Sequence, residues 1–431
     1  MPQIERLSEE QIRDIEVVST VLPFKTNNYV TDYLIDWSKI PEDPMFVLTF
    51  PQKGMLKPEH YEKMAKLVKA GADKEAIKKA AGEIRLTLNP HPAGQMEHNV
   101  PVWRGERLEG MQHKYRETVV FFPLHGQTCH AYCTFCFRWP QFVGMEDLKF
   151  ASREAELLVD YIADHPDVTD VLFTGGDPLT MKTKILSAYI KPLLDARVSH
   201  VRNIRIGTKS LTYWPFRFTT DEDADELLAL FKEVKSAGKH LAFMAHFNHP
   251  VELESENVKN AVKRIIETGA VIRTQSPLIR HINDSPDIWA EMWRRQVALG
   301  CIPYYMFVAR NTGAQHFFSV PLEDAWRIFR GAYQKVSGIC RTVRGPVMSC
   351  LPGKVQILGV TEVKKQKIMV FRMIQGRNPD WIARPFFAEY DPGAIWHDDL
   401  KPTFGEEKFF FEDELDTLLK VDKEIEVDDF E

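Results

Sequence analysis

Long apolar runs are missing. No window reaches about 18 consecutive apolar residues, so no transmembrane helix is expected. The first residues, Met1-Pro-Gln-Ile-Glu-Arg-Leu-Ser, lack the basic-then-apolar start of a secretory signal. Positive charge is not in excess either. Fifty-five Lys and Arg stand against 61 Asp and Glu, a formal net charge of −6, which argues against nucleic acid as the main partner. Cysteine is scarce, six in 431 residues, and three of the six lie between Cys129 and Cys136. That distribution does not form a disulfide framework and points to a reducing, cytoplasmic setting with one cysteine-built site.

What is present describes a soluble globular chain. Hydrophobic residues make up 44% and charged residues 27%, close to the average, which excludes wholesale disorder. A length of 431 residues implies two or three structural units. Residues 1–112 form a mostly helical subdomain. Ser8-Glu-Glu-Gln11 reads as a capping box, and the stretch from His60 to Leu86 has helical period and ends at Asn89-Pro-His-Pro.

Over 113–337 the pattern changes to short apolar runs alternating with amphipathic helices. The runs are Thr118–Pro123, Val168–Phe173, Val201–Ile206, His240–His246, Ala270–Thr274 and Pro303–Val308. The helical stretches between and after them begin near Ala151, Thr183, Asp221, Ser255, Asp287 and Pro321. Such alternation predicts an α/β fold with a parallel sheet covered by helices. Six units leave an open partial barrel or a doubly wound sheet. Residues 338–431 form a C-terminal extension, with strands expected at Val355–Val360 and Ile368–Phe371. It closes on the acidic run Glu412–Glu431, which holds ten acids and two bases.

The strongest chemical signal is Cys129-His-Ala-Tyr-Cys133-Thr-Phe-Cys136, directly after the first expected strand. In parallel α/β folds that is where function gathers. Three thiolates at this spacing can take zinc or an iron–sulfur cluster. Zinc wants a fourth ligand, for which only His125 and His130 stand near; inert buried thiols are the plainest alternative. A four-iron cluster on three cysteines leaves one iron open to a ligand.

The C-x₃-C-x₂-C run resembles the signature of radical S-adenosylmethionine enzymes. Further stretches resemble the lysine 2,3-aminomutase branch: Cys136-Phe-Arg138, Thr174-Gly-Gly-Asp-Pro-Leu179, Ile204-Arg-Ile-Gly-Thr208, His246-Phe-Asn-His-Pro250, Gln275 with Asn283-Asp284, and Pro303-Tyr-Tyr305 followed by His316-Phe317. They run in order over more than half the chain. The resemblance implies a partial (β/α)6 barrel and a [4Fe–4S] cluster on Cys129, Cys133 and Cys136. It implies S-adenosylmethionine held by Gly175, Gly176, Asp177, His246 and Gln275. It makes Arg138 the holder of the substrate carboxylate and Lys354, in Pro352-Gly-Lys354, the lysine that carries pyridoxal 5′-phosphate. Only a primary amine condenses with that cofactor's aldehyde. Lys114-Tyr115-Arg116 resembles the segment that holds its phosphate and ring. The expected reaction moves an amino group between C2 and C3 of an amino acid. The expected partners are a small-molecule substrate and an electron donor to the cluster, with a homo-oligomer compatible.

The chain departs from this pattern in places. One glycine precedes Lys354 instead of several, and the second phosphate arginine has no counterpart. Lysine-specific members hold the distal ammonium with two aspartates. At those places this chain reads Met306-Phe-Val-Ala-Arg310 and Met348-Ser349-Cys350, with no carboxylate. The expectation is therefore an amino acid other than free lysine, with Arg310 meeting its side chain. A radical enzyme without pyridoxal phosphate and a non-catalytic metal-binding protein are the alternative readings.

Overall fold

The computed structural model describes residues 2–428. Its centre is one open sheet of eleven strands whose neighbours follow sequence order. These are β1 (Met111–Tyr115), β2 (Thr118–Phe121), β3 (Asp170–Phe173), β4 (Asn203–Thr208), β5 (His240–His246), β6 (Val271–Leu278), β7 (Ile302–Val308), β8 (Arg344–Ser349), β9 (Gly353–Val363), β10 (Gln366–Gly376) and β11 (Pro385–Glu389). From β2 to β8 all neighbours are parallel. The first pair and the last four strands are antiparallel. This is a partial (β/α)6 barrel lengthened at both edges. All six expected βα units are present.

The crossover helices form for local reasons. Glu256–Ile266 is capped by the Ser255 side chain, which accepts from the Val258 N–H, and it buries Val258, Ala261, Val262 and Ile265. Those positions, i, i+3, i+4 and i+7, are one helical stripe. Residues 241–245 of β5 are buried without alternation, as expected of a parallel strand covered on both faces. No helix among the described residues is long and apolar enough to cross a membrane.

The structure differs from the sequence expectation in three places. The helix expected from His60 to Leu86 is two, Pro58–Lys69 and Lys74–Thr87. Gly71 takes a left-handed φ of 63° between them, and Asp73 caps the second. The alternation does not stop at Ser337, because β8 is a seventh parallel strand. Gly345 and Pro346 hide it, and the ladder to β7 shifts register there. The acidic run forms the helix Glu412–Asp428, and its last three residues lie outside the described part. The three expected segments share the one sheet: β1 spans residues 112 and 113, and β8–β11 continue past residue 337.

One side chain locks the strand ends that carry the site. Asp177, 2% exposed, follows β3. Its carboxylate accepts from the Leu179 N–H (3.0 Å), Thr208 Oγ1 (2.8 and 2.9 Å), the Lys209 N–H (2.8 Å) and Ser210 Oγ (2.9 Å). Replacing Asp177 by Ala strands four donors, each costing about 1–3 kcal/mol if left buried and unpaired. The thermal unfolding midpoint of Asp177→Ala should fall by several degrees, and that of Asp177→Asn by less. An unchanged midpoint in the alanine variant would refute this role.

Candidate active site

The cysteine loop leaves β2 and is clamped from two sides. From the N-terminal segment, Lys25 Nζ donates to the Cys129 carbonyl at 2.7 Å, and the Thr134 N–H and hydroxyl reach Leu48 O and Val47 O. From the sheet side, the Asp177 N–H donates to Thr128 O at 2.7 Å and to Gly126 O. All three thiols are free and partly buried. Burial pushes their pKa values up: Cys129 well above the ordinary range, with the Asp177 carboxylate adding to it, Cys133 upward, and Cys136 to about 12. Cys129 also feels the charges of Cys133 and Cys136, and Cys136 that of Cys133, yet among the described residues no three His, Cys, Asp or Glu groups stand close enough to share one ion. His125, one candidate fourth zinc ligand, is engaged with the Tyr189 hydroxyl at 3.0 Å, and His130 stacks on Trp214.

The Gly175-Gly176-Asp177 turn, expected to hold S-adenosylmethionine, packs tightly on the cysteine loop. A Cβ on Gly176 would stand 2.3 Å from Thr128 O, and one on Gly175, whose φ is 150°, 2.3 Å from Gln127 Nε2. Gly176 lets the turn lie against the backbone of the cysteine loop, and Gly175 makes room for the Gln127 side chain. The Asp177 carboxylate is saturated by protein donors, since a carboxylate has about four acceptor sites. Only backbone groups of this turn remain to face a ligand. His246 and Gln275 are register partners at the ends of β5 and β6, with partly buried side chains. Burial, with Lys209 nearby, pulls His246 down to about 3, so the imidazole is neutral.

Farther along the sheet lies a cationic pocket. Lys354, at the start of β9, places Nζ 2.6 Å from Gln375 Oε1, and 5.1 and 5.5 Å from the ring centres of Tyr305 and Tyr115. Burial, with Arg205 and Arg344 adding to it, lowers its pKa to about 7. Lys114 donates to the Cys350 carbonyl and is held well below the ordinary lysine range by burial and the charge of Arg377. Arg138 and Arg310 lie 5.1 and 5.2 Å from the centre of the Phe137 ring. Burial lowers both to about 10, and Arg138 also feels Arg310. The Tyr115 hydroxyl and Arg310 Nε are buried with no hydrogen-bond partner. Among the described residues, Lys114, Arg138, Arg310 and Lys354 form no ion pair. Unpartnered donors and desolvated cations fit an anionic ligand with a ring and a phosphate.

Arg116 is a correction. It sits at the tip of the β1–β2 hairpin, where Tyr115 faces Thr118, and its guanidinium pairs with Glu117 at 2.9 Å, more than half exposed. The chain turns one residue too soon for Arg116 to follow Lys114 inward. A register shift between Gln112 and Tyr115 is what lets both Lys114 and Tyr115 reach the pocket. Sequence reasoning missed Arg377, Arg344 and the Asp170–Arg205 pair, whose Arg205 Nε donates to Asp170 Oδ1 at 2.8 Å. Strand alternation offered a signal only for the last, which is on the same face as Gly207.

No family model matches the chain. A protein of Aquifex aeolicus, provisionally named L-lysine 2,3-aminomutase, is 32% identical over 94% of this chain and 95% of its own length. The L-lysine 2,3-aminomutase of Clostridium subterminale is 28% identical over 62% of this chain, which spans 60% of that enzyme. Among solved structures, a radical SAM methyltransferase from Sphaerobacter thermophilus aligns at a TM-score of 0.39 and 17% identity, over 56% of this chain and 68% of that one. The 32% identity to the Aquifex protein over nearly the whole of both chains shows that this chain belongs to the lysine 2,3-aminomutase family.

Proposed function

We propose that the protein is a pyridoxal-phosphate-dependent 2,3-aminomutase using a [4Fe–4S] cluster and S-adenosylmethionine, on an amino acid whose side chain bears a carboxylate. The observation that carries this reading is the set of desolvated, unpaired cations Lys114, Arg138, Arg310 and Lys354 beside a three-thiol loop. When bound, the cluster and S-adenosylmethionine supply a hydrogen-abstracting radical, and pyridoxal phosphate supplies the electrophilic carbon that holds the migrating nitrogen. Cys129, Cys133 and Cys136 would hold the cluster, and Lys354 the pyridoxal phosphate.

The chain's own residues do the positioning. Arg138, two residues after Cys136, aims a guanidinium at the α-carboxylate beside the cluster. Arg310 meets the distal carboxylate, and both guanidinium groups lie about one ring's reach from Phe137, at 5.1 and 5.2 Å from its centre. Neutral His246 and Gln275 face the nucleoside, and Tyr115 and Tyr305 screen the Lys354 amine from water. A lysine substrate would bring an ammonium to Arg310. Burying that like-charge meeting costs several kcal/mol, on the order of a thousandfold in binding.

Replacing any one of Cys129, Cys133 and Cys136 by Ala should remove both the brown absorption of the reconstituted protein and reductive cleavage of S-adenosylmethionine. Cleavage retained by the triple variant would sink the cluster assignment. Lys354 should be the residue labelled when pyridoxal phosphate is trapped by borohydride and the peptides are mapped. A neutral amine is the nucleophile and its pKa is lowered to about 7. Trapping should therefore rise with pH and reach half its maximum near 7, not near the ~10.4 of an exposed lysine; a midpoint near 10, or label elsewhere, would contradict the assignment. Glutamate should turn over under anaerobic conditions and lysine should be poor, with Arg310→Gln narrowing the difference at least tenfold. Efficient formation of β-lysine with no reaction of glutamate would overturn the charge argument.

A further inference from the structure

Tyr213 is a large polar side chain with a sulfur for a neighbour. It ends the short helical turn Ser210–Tyr213 that follows β4, and it is 1% exposed. Its hydroxyl lies 3.2 Å from Cys133 Sγ, a hydrogen-bond contact in which either atom can donate while Cys133 is a free thiol. Cys133 is the middle of the three loop cysteines proposed above as cluster ligands. A sulfur bound to iron is a thiolate and has lost its proton. With the cluster in place, only the phenol can donate.

Independent contacts fix this turn against the cysteine loop. At its start, Ser210 Oγ donates to the Asp177 carboxylate at 2.9 Å, so the group that locks the strand ends also anchors the turn. At its end, Asn27 Nδ2 donates both to the Tyr213 carbonyl (3.0 Å) and to the His130 carbonyl (3.1 Å), which ties turn to loop. The next ring along, Trp214, stacks on His130 with centroids 5.9 Å apart and planes 14° from parallel. A cation is also close, since Lys209 Nζ lies 4.5 Å from the centre of the Tyr213 ring. Its charge is met by the fully buried Glu252 at 2.5 Å, and a further donor goes to Asn248 Oδ1 at 2.8 Å. The cation is spent on a carboxylate, and the neutral phenol is the group that reaches the sulfur.

We propose that Tyr213 acts through Cys133: its hydroxyl donates to the Cys133 thiolate of the bound [4Fe–4S] cluster and raises the cluster's reduction potential. The inference rests on the cluster reading above. The reduced cluster carries one more electron than the oxidised one. A donor on a ligating sulfur therefore stabilises the reduced form more, and hydrogen bonds to the sulfurs are among the levers that set such potentials. Burial adds to the effect, because a hydrogen bond is electrostatically stronger where water is excluded. In the reduction, the cluster takes one electron from an external one-electron donor. The O–H bond of Tyr213 stays intact and no proton moves.

The test is an anaerobic redox titration of the full-length, cluster-reconstituted protein, with dithionite as the reductant and the paramagnetic signal of the reduced cluster as the readout. Tyr213→Phe keeps the ring and removes the hydroxyl. At a fixed potential its ratio of reduced to oxidised cluster should drop about tenfold, equivalent to a shift of about 59 mV to lower potential for a one-electron couple. A tyrosine fluorinated beside its hydroxyl, introduced at position 213, is a stronger donor of nearly the same shape and should move the potential upward. Opposite shifts in the two variants are the expected result, and a side chain that only fills space would not produce them. Potentials unchanged in both, or displaced in the same direction in both, would overturn the proposal. If Tyr213→Phe does not fold or does not assemble a cluster, the sign of the shift in the fluorinated variant decides. Wild-type protein that takes up no [4Fe–4S] cluster would overturn the cluster reading itself, a separate outcome from failure of the tyrosine assignment.

Discussion

Everything at the cluster end hangs on one carboxylate with no acceptor capacity to spare. Asp177 gathers donors from its own turn and from the end of β4, while its N–H reaches back to the cysteine loop. Gly175 and Gly176 leave no clearance between turn and loop. The positions of the three thiols are therefore dictated by backbone packed on backbone. Lys25 and the carbonyls of Val47 and Leu48 complete the frame from the other side, which gives the helical N-terminal segment a purpose its sequence does not announce.

The opposite end of the pocket is built on imbalance. Asp170 neutralises Arg205 beneath it, but no acid is paired with Lys114, Arg138, Arg310 or Lys354 among the described residues. Uncompensated cations away from water cost several kcal/mol each unless something anionic joins them. The same burial that makes these charges costly brings Lys354 to about 7, where an amine is both neutral and nucleophilic. Desolvation thus creates at once the demand for anions and the reactive amine.

The fold was largely legible because period carries it. Apolar runs of β length between amphipathic helices leave little choice but a parallel sheet, and all six units formed. The grouping of Arg138 with Arg310 was also legible, through the places they occupy after the third cysteine and the fifth crossover helix. What was hidden depended on a single turn. Arg116 reads as a neighbour of Lys114 until the hairpin closes at Tyr115 and Thr118. β8 was masked by Gly345 and Pro346, residues that usually mark loops. Arg377 lies more than 250 residues from Lys114 in sequence, and only the pairing of β9 with β10 brings the two to one turn. The packing of Gly175 and Gly176 on the cysteine loop was hidden for a related reason, since a glycine pair in sequence does not say what it approaches.

His246 on β5, Gln275 on β6 and Lys354 on β9 belong to one hydrogen-bonded sheet, with register shifts at Thr274/Gln275 and at Arg344/Val347 between them. Adjacent strands are about 4.8 Å apart, so the separation between the nucleoside end and the lysine end is counted in strands and bent by the curvature of the sheet. If the proposed nucleoside and lysine sites are the two reactive centres, the span between them is set mainly by the number of strands separating them.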